Sequence, residues 1–176
     1  AVLESFKFLE DSGYEVTRLS VNEYGQVEPE NLRDALREDT ILVSIMYANN
    51  EIGTIQPIKE IGEIAKAHNI PFHTDAVQGF FKVPFRAQTL GADMISVSGH
   101  KIHGPKGVGA LYISPRLKSF PALLLGGGQE GNYRSGTEGT PAIFGFAAAC
   151  EACRLTFKED IAKEAELIQG LAEKLC

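Results

Sequence analysis

Short apolar runs rich in β-branched residues alternate with amphipathic stretches along the chain. Residues 1–11 (AVLESFKFLED) carry a helical pattern, and Gly13 supplies a stop signal. Tyr14 to Val21 (YEVTRLSV) predicts a strand. Pro29 opens a short helix with Leu32 and Leu36 on one face and acids early in it. Ile41 to Tyr47 (ILVSIMY) is nearly continuous in apolar residues, as expected of a strand buried on both faces, and it ends at Asn49-Asn50-Glu51. Pro57 starts the next helix, where Ile58, Ile61 and Ala65 form an apolar stripe and Asn69 marks the stop. Three more strands are predicted: Ile70 to Asp75 (IPFHTD), Asp93 to Ser98 (DMISVS) and Val108 to Ile113 (VGALYI). Gly126-Gly127-Gly128 opens a glycine-rich loop reaching Thr140, and the pattern is helical from Pro141 onward.

Strands separated by helical segments predict an α/β sandwich with a mostly parallel sheet. Ligands of such sheets bind beyond the C-terminal ends of strands. Asn50, Asp75 and the Ser98–Lys101 group each follow a predicted strand, so chemistry is expected there.

The chain has 176 residues, about one domain's worth, with 44% hydrophobic and 23% charged residues, enough to bury a core. Its formal charge of -6, with Lys and Arg scattered, argues against a nucleic-acid or anionic-membrane surface. No apolar run is long enough to span a bilayer and the start lacks a signal pattern, so a cytoplasmic location is the expectation. Cys150, Cys153 and Cys176 are odd in number and make no disulfide framework. The opening Ala1-Val2-Leu3 reads as a helix already under way and Cys176 ends inside a helical pattern, which suggests a piece of a longer protein.

In Ser98-Gly99-His100-Lys101, persistent strand geometry would put Ser98 and His100 on one face, suited to a phosphate. Gly99 permits a turn or a close ligand approach. Lys101 at the turn would form an imine if partial burial lowers its pKa. Alone, the four residues read more readily as bland surface than as a site. Asp75 adds a carboxylate at a strand end, where it can cap a helix, hold the pyridine nitrogen of pyridoxal phosphate (PLP), or do both. Gln78, one turn on if a helix starts at Asp75, can donate to the phenolate oxygen of that cofactor. His73 shares Asp75's strand face and reads either as a satisfied core histidine or as part of the site. Asn49 and Asn50 can turn the chain, and Asn50 can equally contact a cofactor.

Competing motifs fail. Gly99 to Lys106 departs from the P-loop pattern at two positions, and Gly104, Gly107 and Gly109 do not form a dinucleotide fingerprint. Cys150-Glu151-Ala152-Cys153 has redox or half-zinc spacing but lies in an Ala-rich helical stretch without a second ligand pair, so no metal site is expected.

The runs MYANNEIGTIQPI (46–58), FHTDAVQ (72–78), SVSGHKIHGPKGVGALYI (96–113) and GGGQEGNYRSGTEGTP (126–141) resemble the NifS-like cysteine desulfurases, class V, fold-type I PLP enzymes close to the selenocysteine lyases. The resemblance covers nearly the whole chain. It implies an incomplete three-layer α/β/α large domain of the aspartate aminotransferase type over residues 1–145, with 146–176 as a helix leading toward a small domain. Lys101 matches the Schiff-base lysine that also moves the substrate's Cα proton, and Asp75 the acid on the pyridine nitrogen. Asn50 and Gln78 match residues on the phenolate side, and Ser98 and His100 match phosphate ligands, with Gly99 between them. Thr137 matches a threonine that reaches the phosphate in the other subunit, implying a homodimer with composite sites. His73 would lie close to ring and substrate. The implied reaction takes L-cysteine to L-alanine, with sulfur passing to an enzyme cysteine as a persulfide, then to a sulfur acceptor or iron–sulfur scaffold protein.

None of the three cysteines matches the attacking residue. The stacking histidine, the earlier phosphate loop and the arginine for the substrate carboxylate have no counterpart here. Little or no activity is therefore expected of these 176 residues alone. Selenocysteine lyase and a non-catalytic cofactor- or partner-binding fragment are the rival readings, and a nucleotide-binding protein is disfavoured by the failed glycine motifs.

Overall fold

The computed structural model describes residues 2–117 and 121–175. In chain order it contains α1 (Val2–Asp11), α2 (Pro29–Ala35), β1 (Val43–Met46), α3 (Ile58–Ala67), β2 (Phe72–Asp75), α4 (Ala87–Leu90), β3 (Met94–Ser98), β4 (Gly109–Ile113) and α5 (Thr140–Leu175). The sheet order is β1-β2-β3-β4. The first two pairings are parallel and β3–β4 is antiparallel. This is the mostly parallel α/β architecture that the alternating pattern implies.

Helix α3 shows why the sequence folds this way. Ile58, Ile61, Ile64 and Ala65 recur on one stripe, all buried, and meet Phe72 and Ile95 from the sheet in one core with Leu32 of α2 and Leu90 of α4. Ile61 and Phe72 have no exposed surface. At its end Asn69 adopts a left-handed φ of 56°, the Asn69 N–H donates to the Lys66 carbonyl and the Ile70 N–H to that of Ala65. These two bonds close the helix and turn the chain directly into β2.

Alternation along the strands makes the other sheet face polar. There the two ring nitrogens of His73 meet Ser44 Oγ at 2.8 Å and Ser96 Oγ at 2.9 Å, bracing β1, β2 and β3. Burial holds the His73 pKa below its ordinary 6.5, against the opposing pull of the Asp75 charge.

At the N-terminal edge of β2 and β3 stands a second brace. Asp93 is buried, and its carboxylate takes the Phe72 N–H at 3.0 Å and Arg116 Nε at 2.7 Å. Arg116 also reaches the Ile70 carbonyl at 3.1 Å and Asn69 Oδ1 at 3.2 Å. Burial pushes the Asp93 carboxyl up, but the Arg116 and Phe72 hydrogen bonds and the Arg116 and Lys66 charges outweigh it and leave it below its usual 3.8.

One expectation needs correction. Tyr14 to Val21 forms no strand: it runs without a ladder partner among the described residues, and β-branched composition cannot supply a neighbour's hydrogen bonds. The condition set for Gln78, a helix starting at Asp75, is not met; residues 77–82 form successive turns. Helix α5 runs unbroken through residue 146. Its first part packs on the rest through ring contacts of Phe146 with Phe80 (6.3 Å) and Phe157 with Phe81 (6.2 Å). Cys150 and Cys153 lie in it one turn apart, with Cys153 Sγ 3.7 Å from the Ile102 carbonyl oxygen; Cys176 lies outside the described residues.

Substituting Arg116→Met strands the Asp93 carboxylate without its cation and is expected to cost about 3 kcal/mol in denaturant unfolding; a loss within measurement error would mean the pair braces nothing. His73 gives a pH signature. Its folded pKa is depressed, so the unfolded chain takes the proton first, and the stability present above the unfolded value of 6.5 is lost as pH falls below it. His73→Gln should accordingly lose less stability than the parent between about pH 7.5 and about pH 5.5, and parallel slopes would contradict this.

Candidate active site

Because β1, β2 and β3 run the same way, their C-terminal ends meet at one edge of the sheet. The register pairs Met46 with Asp75 and Asp75 with Ser96, so Asp75 is the middle of the row. Ser98, two residues beyond Ser96 on the same face, is about 8 Å from Asp75 by standard strand spacing. A 3-10 turn, Gly99–Ile102, follows and carries His100 and Lys101. Asn50 follows β1 by four residues, and Gln78 follows β2 by three. Parallel pairing therefore collects Asn50, Asp75, Gln78, Ser98, His100 and Lys101 along this edge.

Asp75 is half-buried. Its Oδ1 accepts the Val77 N–H at 3.0 Å, while Oδ2 has no hydrogen-bond partner among the described residues. One oxygen thus fixes the turn and the other stays open to a cationic donor. Gln78 Oε1 accepts Lys82 Nζ at 2.8 Å, which turns the amide so that its NH2 is free to donate. Strand geometry ends at Ser98, yet Ser98 Oγ and His100 Nδ1 still meet at 2.8 Å, because the tight turn brings the ring back over the hydroxyl.

The two asparagines separate. Asn49 Oδ1 accepts the Glu51 and Ile52 N–H groups at 2.8 and 3.0 Å and so builds the turn, whereas Asn50 is exposed. Gly99 donates its N–H to the Val108 carbonyl at 2.9 Å. A Cβ on Gly99 would stand 3.0 Å from Val108 and 3.2 Å from Phe146, so in this structure its small size serves the packing of α5.

His73 has neither ring nitrogen free, because Ser44 and Ser96 engage both. It sits beneath Asp75 as a neutral brace, and the arrangement leaves it no nitrogen for direct proton transfer. Lys101 is exposed, so the described residues do not supply the partial burial expected to prepare its amine. Thr137 is exposed on the glycine-rich loop, which is closed on itself by Gly136 N–H to Gln129 Oε1 (3.0 Å) and Ser135 N–H to the Leu124 carbonyl (3.2 Å). No hydrogen bond among the described residues joins Thr137 to the strand-end group.

Ser44, Ser96 and Lys82 were not singled out by sequence. The serines occupy alternate positions of apolar strands, a signal that becomes specific only once the register puts them beside His73.

The whole chain, residues 1–176, matches the class-V aminotransferase family. It is 53% identical over 175 residues to a cysteine desulfurase IscS from Methanosarcina thermophila, covering 97% of this chain and 43% of that relative. A solved NifS-like protein superposes with a TM-score of 0.89 at 43% identity, covering 98% of this chain and 48% of its own. SspA in complex with cysteine gives 0.82 at 42% identity, with 93% and 49% covered. The chain thus spans less than half the length of each. With the match running from the first residue to the last, and the same fold in relatives above 40% identity, this chain belongs to the class-V aminotransferase family.

Proposed function

We propose that the full-length protein is a PLP-dependent cysteine desulfurase. The observation that carries this is the strand-end row, in which a half-open carboxylate, two amides, a hydroxyl–imidazole pair and a primary amine share one sheet edge. This donor set fits PLP: an acid for a protonated ring nitrogen, amide donors for a phenolate oxygen, hydroxyl and imidazole for a phosphate, and an amine for an aldehyde. Cysteine as substrate is supported by the desulfurase relatives and by the cysteine complex of SspA.

When bound, PLP supplies the electron sink that weakens bonds at the substrate's Cα and Cβ. The residues of this chain supply orientation and proton transfer. Asp75 Oδ2 would accept a hydrogen bond from the proton-bearing ring nitrogen. Asn50 and Gln78 would donate their amide N–H groups to the phenolate side. Ser98 Oγ and the His100 imidazole would hold the phosphate. Lys101 Nζ would be the amine that holds the aldehyde group and the base positioned to take the substrate's Cα proton.

A cysteine thiolate would attack the substrate's sulfur, forming an S–S bond as the Cβ–S bond breaks. The electron pair of the broken bond would stay on the carbon skeleton, which is protonated to alanine. The outer sulfur of the resulting persulfide would pass to a sulfur-acceptor or iron–sulfur scaffold protein. The accepting cysteine and the arginine for the substrate carboxylate are assigned outside these residues, since Cys150 and Cys153 lie on α5 with thiol pKa values raised by burial. A homodimer in which Thr137 reaches the partner's cofactor phosphate completes the proposal, and the exposure of Thr137 leaves it available for that contact.

Borohydride treatment of the yellow full-length protein should fix the cofactor to Lys101, as read by peptide mass spectrometry; label on another lysine sinks the assignment. Asp75→Ala removes a charge-assisted bond and is expected to weaken cofactor retention about 10- to 100-fold, with turnover nearly abolished. An unchanged rate would reduce Asp75 to a turn residue.

A further inference from the structure

Gln78 stands on a turn whose position is set by a contact outside the strand-end row. The turn is chained to β2 and β3: the Ala76 N–H donates to the Ser96 carbonyl at 3.0 Å, and the Gly79 and Phe80 N–H groups donate to the Ala76 carbonyl at 2.9 and 2.8 Å. Gly79 is buried, and its φ lies outside the left-handed region, so conformation does not call for glycine there. Space does. A Cβ on Gly79 would stand 2.3 Å from Tyr47 Cδ1 and 3.1 Å from Cγ and Cε1, well inside van der Waals contact.

The Tyr47 ring has little room to retreat. It is 7% exposed and packs edge-on against Phe85, with ring centroids 5.3 Å apart at 86°. Its backbone is held too, since the Tyr47 N–H donates to the Asp75 carbonyl at 2.8 Å and its own carbonyl accepts the Gln56 N–H at 2.9 Å.

We infer that Tyr47 is a positioning residue: its ring is the wall against which Gly79 seats, and the fit between them fixes where the Gln78 amide stands relative to Asp75. A side chain at 79 pushes the turn away from the wall and carries the amide with it. Lys82, which orients that amide, moves as well, because its N–H and that of Val83 are bonded to the Gly79 carbonyl at 3.0 and 2.8 Å. The inference rests on the reading of Gln78 as a donor to the PLP phenolate oxygen.

The test is the pH titration of the visible absorbance of the full-length protein loaded with PLP, in the parent, Gly79→Ala and the double variant Gly79→Ala/Tyr47→Leu. A donor on the phenolate stabilises the deprotonated chromophore most, so displacing it in Gly79→Ala raises the titration midpoint by about half a pH unit. Cofactor binding weakens about 5-fold alongside it. The double variant, with the wall cut back, returns both values toward the parent's. A folded Gly79→Ala protein with the parent's midpoint overturns the inference, and so does a shift that the second substitution fails to reverse. Should Gly79→Ala alone not fold, the double variant carries the test: a folded protein with the parent's midpoint supports the wall, and a second failure to fold overturns it. A parent protein that takes up no chromophore at Lys101 defeats the underlying PLP reading instead, which keeps the two failures apart.

Discussion

Parallel pairing of β1, β2 and β3 out to their last residues is the constraint on which this structure turns. The Tyr47 N–H to Asp75 carbonyl and Ala76 N–H to Ser96 carbonyl bonds, at 2.8 and 3.0 Å, carry the ladder one step beyond the strands. Asp75 is therefore clamped from both sides by backbone, and its side chain adds only the Oδ1 bond to the Val77 N–H. A carboxylate so held keeps its direction without spending both oxygens on the protein, and the open Oδ2 follows from that economy. Had any of the three strands run the other way, its following loop would lie at the opposite edge and the row of polar groups would not exist.

The two ends of the sheet are built for different purposes. At the N-terminal edge Asp93 and Arg116 satisfy each other and the backbone around them, leaving nothing over for a ligand. At the C-terminal edge the polar side chains are half-satisfied: Ser98 and His100 hold each other, Asp75 and Gln78 each keep one group in reserve, and Lys101 and Asn50 face outward. Complete pairing marks a brace, and residual capacity marks a site. His73 belongs with the braces, although it lies only two residues from Asp75.

The chain belongs to the class-V aminotransferase family and spans less than half the length of the relatives it matches. Lys101 and Thr137 are exposed, and further chain, a partner subunit or a bound ring would all change their surroundings. Local strand order and register are enough to assemble the strand-end row.

Much of this was legible in the chain. The isoleucine stripe of α3 predicted a buried helix, and Asp75 and Ser98 stood at strand ends as the pattern required, because each of these signals is local and periodic. The run Ile41 to Tyr47 gave a strand, but only over Val43–Met46 and not buried on both faces. Val43 alone of the four is buried and Ile41 is exposed, because one face of β1 carries no covering layer among the described residues. The direction of β4 follows from the Gly99–Val108 connection, too short for the crossover that a parallel neighbour needs. Tyr14 to Val21 misled because strand propensity describes a residue's fit to a sheet and not the presence of a neighbour. The pairing of His73 with two serines 29 and 23 residues away and the seating of Gly79 against Tyr47 were invisible before the fold was known. Residue type and spacing along one strand fix which face a side chain takes; which group waits across the gap depends on the register between strands, and that is decided only when the whole core packs at once.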